Sequence, residues 1–212
     1  MPDTPDRSRR ARARRGEGDR LRGELLRAAE TLLDEGGEGA VTVRAVANTV
    51  GVSLPAVYLH FASQADLLHA VCLQVWDDLE RRMRDASTAA DGPLEELRRR
   101  GAAYIRFGLE HAVRYRLVAS GPSVDATSRI ADACYHTMCD TVRRCMDTDR
   151  LRGDATALTR AVCACLHGAV SLLILQPRSR WPEDVEAFAE DMATVATQGV
   201  VALSRAGSSA VR

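Results

Sequence analysis

Between Thr42 and Gln64 the chain gathers side chains suited to a polyanion and to the edges of stacked bases. Arg44 is the one side chain in this stretch whose forked N–H donors match guanine O6 and N7, and it is expected to carry direct base readout. Leu54, Pro55 and Ala56 offer apolar contact only, of the kind a thymine methyl accepts. Thr42, Ser53, Tyr58, His60 and Gln64 bring hydroxyl, imidazole and amide groups for phosphate oxygens, and a helix opened by Ser53 would add backbone N–H groups.

Such groups read a groove only if short helices hold them at fixed angles. The spacing of Ala47, Gly51 and Val57 is that of a helix-turn-helix: a small residue where two helices cross, a glycine where the turn needs positive φ, and an apolar anchor on the second helix. Val46, Val50, Val52 and Val57 are expected to fill the space between them, with Thr42 and Ser53 as N-caps. Before this motif, Leu21, Leu25, Ala28, Ala29, Leu32 and Leu33 recur at helical spacing from Asp19, and Gly36-Gly37-Glu38-Gly39 ends the helix. After it, Ser63 and Asp66 predict a capping box opening a helix that runs to the mid-80s.

Further helices are predicted from Pro93, over 124–146, over 154–175 and from Trp181-Pro182 to about 204, with a break at Gly121-Pro122 and a fraying tail from Ser204. The helix over 154–175 is apolar nearly all round, which requires burial on more than one side. No β-alternation and no internal repeat is seen, so the fold expected is all-α: a three-helix DNA-binding head followed by a larger helical body. The divisions are 1–18 as a flexible Arg-rich arm, 19–66 as the head and 67–212 as the body.

Composition narrows the functions open to the chain. All 29 basic residues are arginine and balance 29 acids, which disfavours indiscriminate polyanion binding while permitting a local site. Arg7, Arg9, Arg10, Arg12, Arg14 and Arg15 give residues 1–18 a surplus, whereas residues 19–70 are net acidic, so the arm is a candidate source of phosphate neutralisation. No apolar run is read as long enough for a bilayer and no signal peptide is seen, so a soluble cytoplasmic protein with no membrane partner is expected. The six cysteines form no CxxC pair and read as buried, reduced thiols.

The segment from Asp19 to Leu68 resembles the DNA-binding head of the tetracycline-repressor (TetR) family: a leading amphipathic helix, then TVRAVANTVGVS, then AVYLHFASQADLL with the family's Tyr-x-His-Phe element at Tyr58–Phe61. AYIRFGLEHAVRYRLVAS (103–120) and LHGAV (166–170) resemble the regulatory half of one subgroup. The family commonly carries Lys where this chain has Gln64, which keeps a hydrogen bond and loses a point charge. Position 59, often polar or aromatic in relatives, is Leu59 here, which could touch a thymine methyl or face the head's own core.

The resemblance implies a repressor that binds a palindromic operator in double-stranded DNA as a homodimer through its last two helices. It also implies release by a small-molecule effector held in the body. Candidate effector contacts are Trp76, Tyr104, Phe107, His111, His136, Met138 and His167; few charges accompany them, so the effector is expected to be mostly apolar. No metal and no cofactor is expected, although His136 and Asp140 lie one helical turn apart. Two other classes compete: a helical enzyme working through a thiol or histidine, and an interaction protein that does not bind DNA. Against the first, no phosphate loop, nucleophile elbow or paired carboxylates are visible.

Overall fold

The computed structural model describes residues 15–119 and 125–209, and among the described residues it holds nine α-helices and no strand. They are α1 (Arg15–Gly36), α2 (Val43–Val50), α3 (Leu54–Tyr58), α4 (Gln64–Ser87), α5 (Pro93–Glu110), α6 (Ala112–Ala119), α7 (Asp125–Asp147), α8 (Ala155–Ile174) and α9 (Val185–Ser209). The chain divides into two units, one ending at Val71 and one beginning at Cys72. Three boundaries differ from expectation, one being the start of α9 at Val185 rather than at Trp181-Pro182. The first helix starts at Arg15 rather than Asp19, and α9 continues through Ser209 where fraying was expected. Residues 1–14, with five of the arm's arginines, and the Gly121-Pro122 break lie outside the described residues.

In the N-terminal unit, Leu25, Ala29 and Leu33 of α1 are wholly buried, as are Val41, Val46 and Val57. Thr42 caps α2, its Oγ1 accepting from the Ala45 N–H at 3.1 Å. Gly51 closes α2 in the left-handed conformation, φ 77°, with its N–H donating to the Ala47 carbonyl at 2.9 Å. The small core departs from expectation: Val50 and Val52 are only half-buried, and Val43, Ala47 and Phe61 are buried in their place. Phe61 is 3% exposed, and the Arg22 guanidinium lies over its ring at 5.2 Å.

The C-terminal unit is organised around α5, which packs on α6, α7, α8 and α9. Arg98 and Arg106 of α5 pair with Glu190 and Glu186 of α9, and Arg106 reaches Glu190 as well at 3.1 Å. Deeper, the 7%-exposed Arg100 donates to Glu96 at 3.0 Å and lies 3.5 Å from Glu80. Glu96 also accepts from Arg144 of α7 at 2.7 Å.

At Gly108 of α5 the approach of α8 leaves no room for a side chain. A Cβ there would fall 2.4 Å from Val170 Cγ1 and 3.1 Å from Tyr115 Cδ2. Gly108→Ala is therefore expected to lower stability by about 1–3 kcal/mol, read as a fall in the urea midpoint at unchanged slope. An unmoved midpoint would mean that the two helices yield freely.

α8 corrects one expectation. By length and composition it could cross a bilayer, where no such stretch was expected. Thr159, Arg160, His167 and Ser171 interrupt its apolar residues, so no unbroken run reaches that length. The helix is instead two-faced. Val162, Leu166, Val170 and Leu173 are buried, while Leu172 and, at the C-cap, Leu175 are 61% and 80% exposed.

Candidate DNA-reading surface and body cavity

Five residues make up α3, with Pro55 in its first turn, where a fixed φ suits the helix and the missing N–H costs no helical bond. Ser53 occupies the N-cap position in extended conformation, yet its side chain makes no capping hydrogen bond, contrary to expectation; its hydroxyl is exposed. Pro55 and Tyr58 are also exposed, Leu54, Ala56 and His60 half-buried, and Val57 wholly buried beneath them. Arg44 projects from α2 into solvent. Leu59 is 85% exposed, so of its two possible positions the one facing the unit's own core is ruled out. Gln64 opens α4 and is exposed, following Ser63, whose Oγ accepts from the Asp66 N–H at 3.1 Å and donates to the Asp66 carboxylate at 2.9 Å. The nine residues expected to meet DNA therefore fall on two short helices, the turns flanking them and, for Gln64, the first residue of α4.

A cavity of about 230 Å³ lies within the C-terminal unit. Its wall is built by Trp76, Leu79 and Met83 of α4, Tyr104 of α5, Cys134, Tyr135 and Met138 of α7, and Cys163, Leu166 and His167 of α8. Of the residues expected there, Trp76, Tyr104, Met138 and His167 are brought together. Phe107, His111 and His136 are not. Phe107 is buried against His111, ring centres 5.1 Å apart, with Arg82 at 5.6 Å from its ring. His111 ends α5, and burial followed by Arg82 and Arg114 holds its imidazole below the ordinary range. His136 is exposed, edge-on to Tyr135.

Six wall residues were missed. Leu79, Met83 and Leu166 read as plain core positions, and only their helical registration with Trp76 and His167 marks them. Cys134 and Cys163 were read as buried thiols with no further part. Burial, then Glu80 and Asp77, push the Cys134 thiol up to about 12; burial, then Cys139, push Cys163 up to about 11. Both stay protonated at neutral pH, which removes the thiolate a cysteine enzyme would need.

One edge of the wall is polar. Tyr115 Oη lies 2.6 Å from His167 Nδ1 and 3.0 Å from Tyr104 Oη, and His167 Nε2 lies 3.2 Å from Ser171 Oγ. Tyr104 Oη also lies 3.4 Å from His167 Nδ1, and the order that uses the shortest contacts runs Tyr104 O–H to Tyr115, Tyr115 O–H to His167 Nδ1, and His167 Nε2–H to Ser171. Burial holds both phenols above their ordinary range, so they remain protonated. Tyr135 spends its hydroxyl on the Thr156 carbonyl at 3.2 Å, and the Trp76 indole N–H is buried without a hydrogen-bond partner.

A helix-turn-helix unit in one chain with a helical unit that holds an apolar cavity is the architecture of a transcriptional regulator. Residues 25–71 match the family model described as bacterial regulatory proteins, tetR family, and residues 97–196 match that of the tetracyclin repressor-like C-terminal domain. The chain belongs to the TetR family.

Among curated relatives, it is 30% identical over 132 residues to the HTH-type transcriptional activator FasR of Mycolicibacterium smegmatis, covering 59% of this chain and 60% of that protein. It is 35% identical over 82 residues to the HTH-type transcriptional repressor KstR2 of Mycobacterium tuberculosis, covering 39% of this chain and 41% of that one. The chain thus spans less than two thirds of the length of either relative. Among solved structures, a protein of unknown function from Rhodococcus sp. RHA1 superposes with a TM-score of 0.73 at 22% identity, covering 85% of this chain and 95% of that one. The TetR family regulator PfmR of Thermus thermophilus superposes with a TM-score of 0.60 at 25% identity, over 82% and 97% respectively.

Proposed function

We propose that this protein is a cytoplasmic repressor that binds a palindromic operator as a homodimer and is released by a small, mostly apolar effector held in the body cavity. The observation that carries the reading is where large apolar side chains are exposed. Among the described residues they fall in two places: Tyr58 and Leu59 at the end of α3, and Leu172, Leu175, Val195 and Leu203 on or at the ends of α8 and α9. The first patch sits beside Arg44, Ser53 and Gln64, where a groove would cover it. The second, long enough to continue along two neighbouring helices, suits a second copy of the chain. One head of this size touches too few base pairs for useful specificity, and pairing doubles the site.

In this reading Arg44 reads a guanine edge, Leu54, Pro55 and Ala56 meet thymine methyls, and Thr42, Ser53, Tyr58, His60 and Gln64 hold phosphates. An effector acts only through a difference in affinity between the DNA-competent and DNA-incompetent states. The relatives carry both signs of control, FasR being named an activator and KstR2 a repressor. A reporter driven by the bound promoter should rise when the gene is deleted; a fall would make the protein an activator.

Selection of bound duplexes from a random pool tests the rest. The expected product is two inverted half-sites, and a single unpaired half-site would remove the dimer. Repeating the selection with Arg44→Ala is expected to relax one position per half-site, with about 1–3 kcal/mol of discrimination lost there. Uniform weakening at every position would instead make Arg44 a phosphate contact.

A further inference from the structure

The cavity carries more information than its apolarity. On the reading that it is the effector site, we infer that its ligand is a flat, neutral molecule of one or two rings bearing a single hydroxyl, which donates to the Tyr104 phenol oxygen.

Size comes first. An apolar cavity of about 150 Å³ takes benzene, so 230 Å³ holds roughly one further ring within its walls. Shape and polarisability follow from the wall: the rings of Trp76, Tyr104 and Tyr135 face a space also lined by the sulfurs of Met83, Met138, Cys134 and Cys163. Sulfur and aromatic walls favour an aromatic occupant over a saturated chain. Charge is excluded by what is near. No arginine lines the space, and Glu80 and Asp77 lie close enough to oppose ionisation of Cys134, so a carboxylate would meet repulsion without a counter-ion.

The hydroxyl is read from the hydrogen-bond chain. In the order set out above, Tyr104, Tyr115 and His167 each spend their proton on the next member, ending at Ser171. What remains at the cavity end is the Tyr104 oxygen with a spare lone pair, an acceptor awaiting a donor. Trp76, on the same wall, has a buried indole N–H that is a donor without an acceptor. A hydroxyl supplies the opposite of both; an ether supplies one, a hydrocarbon neither.

Equilibrium dialysis of the full chain, with no DNA present, tests this with 2-naphthol, 2-methoxynaphthalene, 2-naphthoate and 1-hydroxypyrene. Naphthol is expected to bind roughly three- to tenfold tighter than the methoxy compound, the span of one neutral hydrogen bond. Naphthoate and the four-ring pyrenol are expected to bind more weakly than naphthol. Equal affinity for naphthol and its methyl ether, or preference for naphthoate or pyrenol, overturns the inference. Tyr104→Phe should erase the naphthol advantage and leave binding of the ether unchanged; an advantage that survives removes Tyr104 as the acceptor. Should that variant fold poorly, the comparison on the unaltered chain still decides the donor requirement. Because no operator enters the measurement, a failed duplex selection and a failed ligand order are separate results.

Discussion

Phe61→Ala is expected to unfold the N-terminal unit while the body stays folded. Phe61 is the sole aromatic ring among that unit's buried side chains, which are otherwise Leu, Val and Ala, and Arg22 covers its face. Truncating a buried Phe costs about 3–5 kcal/mol. Losing the stacked guanidinium adds about 0.5–1 kcal/mol. A unit of some seventy residues buries a modest core, so this sum is comparable to all the stability it is expected to have. Hydrogen exchange should show protection vanishing at the amides of Val46, Ala47 and Val57 while α5 and α9 keep theirs, and DNA retention should disappear with it. Phe61→Leu, which keeps most of the volume, should retain both. Protection lost equally in the two units would mean that they fold as one.

Arg100→Ala is expected to destabilise the body by about 3–5 kcal/mol, the cost of removing one partner from a buried ionic cluster. The arginine is 7% exposed and holds Glu96 at 3.0 Å and Glu80 at 3.5 Å, and Glu80 already has one buried oxygen without a partner. Urea unfolding measures the loss, and the double variant Arg100→Met with Glu80→Gln should recover much of it because no orphaned charge then remains.

Acidity gives a second readout of the same cluster. Burial would raise the Glu96 carboxyl, but hydrogen bonds from Arg144 and Arg100 outweigh it and hold the group below its ordinary value. A carboxyl depressed on folding contributes stability that is complete above its unfolded value of about 4.3 and is lost as pH falls through the folded one. The unaltered protein should therefore keep this contribution down to moderately acid pH. Arg100→Ala, with one of the two donors gone, should show a smaller acid loss that begins at the same pH and is complete at a higher one.

The helices were legible because their signals are local. Thr42, Gly51, Ser63 and Pro93 each act within one turn, and all four stand where such a residue should. The two surfaces of the DNA-reading unit were legible in part: on so short a helix as α3 Val57 marks the buried side, while Leu59 could have faced either way and only the structure turns it outward. Ser53 misled because its position predicts a cap while nothing in the sequence says whether the hydroxyl turns inward.

The cavity was legible only in part. Trp76, Tyr104, Met138 and His167 were expected from residue type, but a cavity is a place where four helices fail to touch, and that depends on their mutual register. Phe107 and Trp76 look alike in sequence as aromatic residues on apolar stripes; α5 turns Phe107 towards His111 and Arg82 instead. Cys134 and Cys163 carry no spacing signal at all, and only burial, with the carboxylates near Cys134 and Cys139 near Cys163, distinguishes them from reactive thiols.

The string of hydroxyls and imidazole that begins at Tyr104 stops at Ser171, and the next residue, Leu172, already faces outward. Interior and exterior are thus separated on α8 by a single peptide bond. In the proposed dimer, whatever reorders the inner end lies one residue from the face offered to the second copy. Chemical news from within would then have no long road to travel before it reached the seam between subunits.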